Sequence, residues 1–177
     1  LMNSAPHNVD LCRWWLQSEL HHVAAASGTF REENPNENST MALLVFNTGT
    51  TVTYWSSSVC PSPGFSGEDF RFRIMGDDGP IDANPFGKVQ LARKGEWELV
   101  YEQPPVAFDD SQAAFTSDGR MQAYCDQMQA WVDRIEGRES DVGNARDGRA
   151  GVAAVIGMLE ASASQQVVQL GKPVAEG

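Results

Sequence analysis

Asn3, His7 and Asp10 follow the i, i+4, i+7 spacing of one helical face, with Pro6 marking a first turn just before the histidine. Histidine exchanges protons near neutral pH. Oxidising a secondary alcohol requires a base within about 2.6 to 3.2 Å of the hydroxyl oxygen, and His7 suits that task. Asn3 can orient a hydroxyl or the imidazole by hydrogen bonding but cannot accept a proton, and Asp10 can anchor the His7 ring or cap backbone N–H groups. Taken alone, a histidine after proline at a helix start is more often a solvated or capping side chain.

The other chemically able residues read mainly as structural. His21 and His22 are successive strand residues, which places them on opposite faces, so they share one metal only if the strand is distorted. Arg71 and Arg73 share a strand face, where an interface or solvent accounts for them better than an acidic substrate. Asp77 and Asp78 stabilise a turn. Trp14, Trp15, Trp97 and Trp131 stand at helical or strand spacing, which is how aromatic residues fill cores. Glu32 and Glu33 are solvated surface. Neither G-x-G-x-x-G nor G-x-x-x-x-G-K-[ST] occurs, so these residues offer no phosphate cradle, and a dinucleotide must be bound elsewhere.

With 177 residues, 41% of them hydrophobic, the chain is expected to fold as one compact unit around a real core. Its net charge of -11 repels phosphate backbones and anionic membrane surfaces, so neither nucleic acid nor membrane is an expected partner. No apolar run is long enough to span a bilayer, and the first residues lack the pattern of a secretory signal. The odd, widely spaced Cys12, Cys60 and Cys125 fit a reducing cytoplasm. The opening at Leu1, two positions before the first residue of chemical interest, suggests a segment preceding it.

The elements that must position these side chains begin with a helix capped by Ser4 and running to about residue 17. A strand over 20–30 and a polar loop over 31–40 follow. Strands over 41–46 and 51–59 form a hairpin around Asn47-Thr48-Gly49-Thr50. Residues 60–67 make a connection, Phe70, Phe72 and Ile74 alternate along a strand, and 77–80 turn. Strands at 89–92 and 97–101 flank Lys94-Gly95 and complete a meander. Met121, Tyr124, Cys125, Met128, Trp131, Val132 and Ile135 mark a helix from 117 that Gly137 ends. Asn144 and Asp147 form a capping box for a last helix, whose Gly151 and Gly157 permit close packing, and 167–170 is a closing strand. The result is an α+β chain with a predominantly antiparallel open sheet and helices on one face.

These segments, in this order, resemble the C-terminal domain of the glucose-fructose oxidoreductase, inositol dehydrogenase and rhizopine-catabolism group (Gfo/Idh/MocA) of NAD(P)-dependent oxidoreductases. The likeness is carried by Asn3-Ser4-Ala5-Pro6-His7-Asn8-Val9-Asp10-Leu11 with Arg13-Trp14-Trp15-Leu16, by Phe72 through Ile81, by Trp131 through Arg138, and by Arg146 through Ala163 with Val167-Val168-Gln169-Leu170. Asn3 stands where members commonly carry Asp.

The resemblance implies that residues 1–177 are the C-terminal substrate-binding and oligomerisation domain of a two-domain oxidoreductase. Hydride would pass between NAD or NADP, held mainly by a Rossmann domain absent from this chain, and a sugar, polyol or related hydroxy compound. It assigns catalysis to His7 with Asn3, working with a lysine of that other domain. It assigns substrate contacts to Asp10, Tyr54 and Trp55. It also implies a cytoplasmic homodimer or homotetramer assembled through the sheet, with no metal. The alternative is a non-catalytic ligand-binding or dimerisation module derived from the same domain.

Overall fold

The computed structural model describes residues 1–2, 4–30, 36–60, 70–85, 87–103 and 118–170. They divide into two compact units, one formed by Leu1–Pro61 with Gly143–Gly177 and the other by Ser62–Val142.

In the first unit, helix α1 (Ala5–Leu16) leads into strands β1 (Leu20–Gly28), β2 (Ser39–Phe46) and β3 (Thr51–Ser57). Helix α3 (Ala145–Ser164) and the short strand β8 (Val168–Gln169) return from the end of the chain. The strands form an antiparallel sheet in the order β3-β2-β1-β8. The expected hairpin is present: Gly49, at φ +84, closes it, and Phe46 N–H donates to the Thr50 carbonyl at 2.9 Å.

Alternate residues of β2, namely Thr40, Ala42, Leu44 and Phe46, are buried, while Met41 and Leu43 between them are exposed. The buried face meets α3, which packs on β1, and α1 packs on α3 in turn. Val23, Leu44, Phe46, Val155 and Met158 close this core, each stabilising it by about 1.5 to 3 kcal/mol. Close approach explains Gly151 and Gly157 of α3. A Cβ on Gly151 would meet the Pro6 carbonyl oxygen at 3.2 Å, and one on Gly157 would meet the Leu170 side chain at 2.7 Å. The capping box of α3 forms in full, with Asn144 Oδ1 accepting from Arg146 and Asp147 N–H and Asp147 Oδ2 accepting from Asn144 N–H. Ser4 occupies the N-cap of α1, but its hydroxyl makes no capping bond.

The second unit holds β4 (Phe72–Gly76), β5 (Gly79–Ala83), β6 (Lys88–Arg93), β7 (Glu96–Glu102) and helix α2 (Asp118–Ile135). Its strands form a separate antiparallel meander in sequence order. The α+β class with antiparallel sheets therefore holds, but the single expected sheet is two. Strand β5 was not expected, because Gly79-Pro80 reads as turn. Pro80 is accommodated because β5 pairs with β6 only from Ile81 onward, so its missing N–H costs that ladder nothing. Gly79 is required where it stands: at φ +129, a Cβ there would lie 2.5 Å from the Ala92 carbonyl oxygen. Helix α2 forms where its periodicity places it, but its stripe is exposed, with Met128 at 63% and Ile135 at 77%.

Candidate functional site

Two of the residues of chemical interest in the first unit, His7 and Asp10, lie on α1. His7 lies on the first turn, exposed, and among the described residues no hydrogen-bond partner holds its ring. Val9 and Cys12 pin the opposite side of the helix into the core. Asn3, the other expected catalytic residue, lies outside the described residues.

Asp10 is on α1 as expected, but its carboxylate belongs to a different network. Its Oδ1 accepts from Arg13 Nη1 at 2.9 Å. Arg13, only 10% exposed at its side chain, also donates to both carboxylate oxygens of Glu19 at 2.6 and 2.8 Å and to Asp147 Oδ1 at 3.3 Å. Three carboxylates thus surround one guanidinium. The Glu19 hydrogen bonds, the leading cause, push the guanidinium further above its ordinary range, and they hold the Glu19 carboxyl below its own. This hub was not anticipated from the sequence; the only signal was an Arg just after an acidic residue at i+3.

Tyr54 and Trp55 are split by the strand alternation of β3. Tyr54 faces the core opposite Ala42, and among the described residues its enclosed hydroxyl has no hydrogen-bond partner. Trp55 stands on the other face opposite Met41 and is exposed. The four expected residues that the structure describes, His7, Asp10, Tyr54 and Trp55, are therefore not brought together at one point.

A cleft of about 640 Å³ opens beside the beginning of α1. Ser4, one turn before His7, lines it together with Glu37, Asn38, Ser39, Ser56 and Ser58. Asn38 fixes the strand ends beneath: its Oδ1 accepts from Phe30 N–H at 2.9 Å, and its carbonyl accepts from Ser58 N–H at 2.9 Å. A wall of hydroxyl, amide and carboxylate groups can exchange hydrogen bonds with a polyhydroxylated molecule.

In the second unit, Asp82 is buried and grips two guanidiniums. Arg71 donates through Nε and Nη2 at 2.8 and 2.7 Å, and Arg73 Nη2 donates at 3.0 Å. Arg71 foremost, then Arg73, holds the Asp82 carboxyl below the usual range. These arginines, read from the sequence as solvent or interface residues, thus brace neighbouring strands.

Among the described residues, no group of three or more His, Cys, Asp or Glu is placed to hold a metal, and no helix is long and apolar enough to cross a membrane. Nor do these residues fit a dinucleotide. Among the described residues both sheets are antiparallel, and the amides opening α3 are already taken by Asn144.

The comparisons show what this α+β chain is similar to. Residues 1–82 match the model of the GFO/IDH/MocA C-terminal domain family. Solved oxidoreductases extend the likeness in fold over nearly the whole chain. An oxidoreductase from Agrobacterium radiobacter, in complex with NAD+, L-tartaric acid and magnesium, aligns with TM-score 0.78 and 18% identity over 96% of this chain and 48% of its own. UDP-N-acetylglucosamine 3-dehydrogenase from Acidithiobacillus ferrooxidans aligns at TM-score 0.68 and 18% identity, covering 93% and 48%. The aldose-aldose oxidoreductase from Caulobacter crescentus, complexed with glycerol, aligns at 0.65 and 18%, covering 94% and 46%. The chain spans about half the length of these structures. No curated protein matches it.

Proposed function

We propose that this chain is the substrate-binding half of an oxidoreductase that acts on a CH–OH group of a sugar, polyol or related hydroxy compound, with NAD or NADP as its partner. The observation that carries the reading is His7, solvent-facing and unengaged among the described residues, one turn beyond a serine that lines a hydroxyl-rich cleft. The imidazole takes the hydroxyl proton as the carbon is oxidised and returns it in the reverse direction. Asn3 orients the hydroxyl or the ring. Asp10 keeps Arg13 company and positions α1, while Trp55 offers an exposed ring face and Tyr54 supports the sheet from the core. The nicotinamide supplies the hydride chemistry and is held by a domain outside these 177 residues. The NAD+ bound by the Agrobacterium relative and the glycerol bound by the Caulobacter relative support this choice of cofactor and substrate class. Three free cysteines accord with a cytoplasmic setting.

The test uses the natural full-length protein. His7→Ala is expected to lower kcat by about 100-fold or more with little change in unfolding midpoint. An unchanged rate would overturn the assignment. A second reading, a non-catalytic ligand-binding or dimerisation module, is favoured by the amide at position 3 and by the exposed apolar residues Met41, Leu43 and Trp55 on the open sheet face. Sugar binding without any nicotinamide-dependent turnover would select it.

A further inference from the structure

His21 and His22 do not point apart. The β1–β2 register shifts between Leu20 and His22, and this β-bulge breaks the alternation that would put successive side chains on opposite faces. The two rings meet edge to face with centroids 5.0 Å apart, and their Nδ1 atoms lie 2.7 Å from each other. The bulge is held on both flanks. His22 pairs with Val45 and Gln169, and the His21 carbonyl accepts from Leu170 N–H at 2.8 Å. Both residues are partly exposed, so an ion in solution can reach them.

We propose that His21 and His22 form a bidentate site for a divalent transition ion of the Cu(II) or Ni(II) class, gripped through both Nδ1 atoms. With metal–nitrogen bonds of about 2.0 to 2.1 Å, donors 2.7 Å apart subtend about 80 to 85° at the ion. That is close to the right angle of square-planar and octahedral coordination. Tetrahedral zinc needs an angle of about 109°, hence a separation of about 3.3 Å, and structural zinc sites take four protein ligands. Water fills the remaining positions here, and imidazole donors suit both ions of the proposed class.

Without metal, a proton on one Nδ1 is donated to the other. On binding, that ring moves its proton to Nε2, two waters leave the ion, and the neutral pair releases no proton. The net charge of -11 favours approach of a cation.

Three histidines make the test clean, because His7 is the single remaining imidazole. Nickel chloride is titrated into the full chain by calorimetry at pH 7.5, and the ring nitrogens are followed by 15N NMR; nickel avoids oxidising the thiols. One equivalent is expected to bind, with the Nδ1 signals of His21 and His22 perturbed and those of His7 unchanged. His21→Ala and His22→Ala should each weaken binding at least about tenfold, and His7→Ala should not. Coordination through Nε2, perturbation of His7 alone, tighter binding of zinc than of nickel, or equal affinity in the alanine variants would each overturn the site. The wild-type NMR readout decides the matter even if a variant fails to fold.

Discussion

Asp147 and Arg13, 134 positions apart, meet through Asp147 Oδ1, which lies 3.3 Å from both terminal nitrogens of the guanidinium, while Asp147 Oδ2 accepts the Asn144 N–H at 2.8 Å. One carboxylate thus closes the cap of α3 and fastens α1, the helix that carries His7, to it.

Arg13→Ala should cost about 2 to 4 kcal/mol, because it strands three carboxylates, although the exposure of Glu19 and Asp10 screens part of that loss. Arg13→Lys should recover less than half, since an ammonium cannot serve three acceptors with the planar fork. Urea unfolding midpoints measure both. Equal stability of Arg13→Ala and wild type would show the hub to be decorative.

The Asp82 clamp makes the second unit sensitive to acid. The carboxyl is depressed in the folded state, foremost by Arg71, so its contribution is complete above the unfolded carboxylate range and is lost as pH falls through the lower folded value. Amide exchange in β4 and β5 should therefore accelerate below about pH 4. Asp82→Asn should exchange faster already at pH 7 and show little further dependence across that window.

Burial lifts the Cys12 thiol to about 11, leaving almost no thiolate at pH 8. Cys125 is exposed and Cys60 half-buried. Iodoacetamide followed by mass spectrometry should label Cys125 readily and Cys12 only after denaturation. Early modification of Cys12 in native protein would contradict its burial.

The open face of the first sheet carries Met41, Leu43 and Trp55 side by side across β2 and β3. If copies of the natural full-length protein assemble through it, Leu43→Asp should shift the mass seen by light scattering to that of the monomer. An unaltered oligomer would place assembly elsewhere.

Local rules made much of this legible. Turn chemistry places the β2–β3 hairpin, apolar periodicity places α2, and the Asn144 and Asp147 spacing places the α3 cap, because each depends on residues a few positions apart. His7 at a helix start belongs to the same class of inference. Alternation along β3 separates Tyr54 from Trp55, but which of them faces the core depends on where α3 lies, and no local pattern contains that.

The α+β class, the main elements and the position of His7 can be read from residues a few positions apart, and the family likeness from the quoted segments in their order. The split of the strands into two sheets, the sharing of Arg13 between Asp10 and Asp147, and the double role of Asp147 as cap and clamp all depend on long-range packing. The clearest case is His21 and His22. Period-two alternation separates them, and they come together because β1 must satisfy β2 on one edge and β8 on the other, a demand set by chain segments far from both histidines.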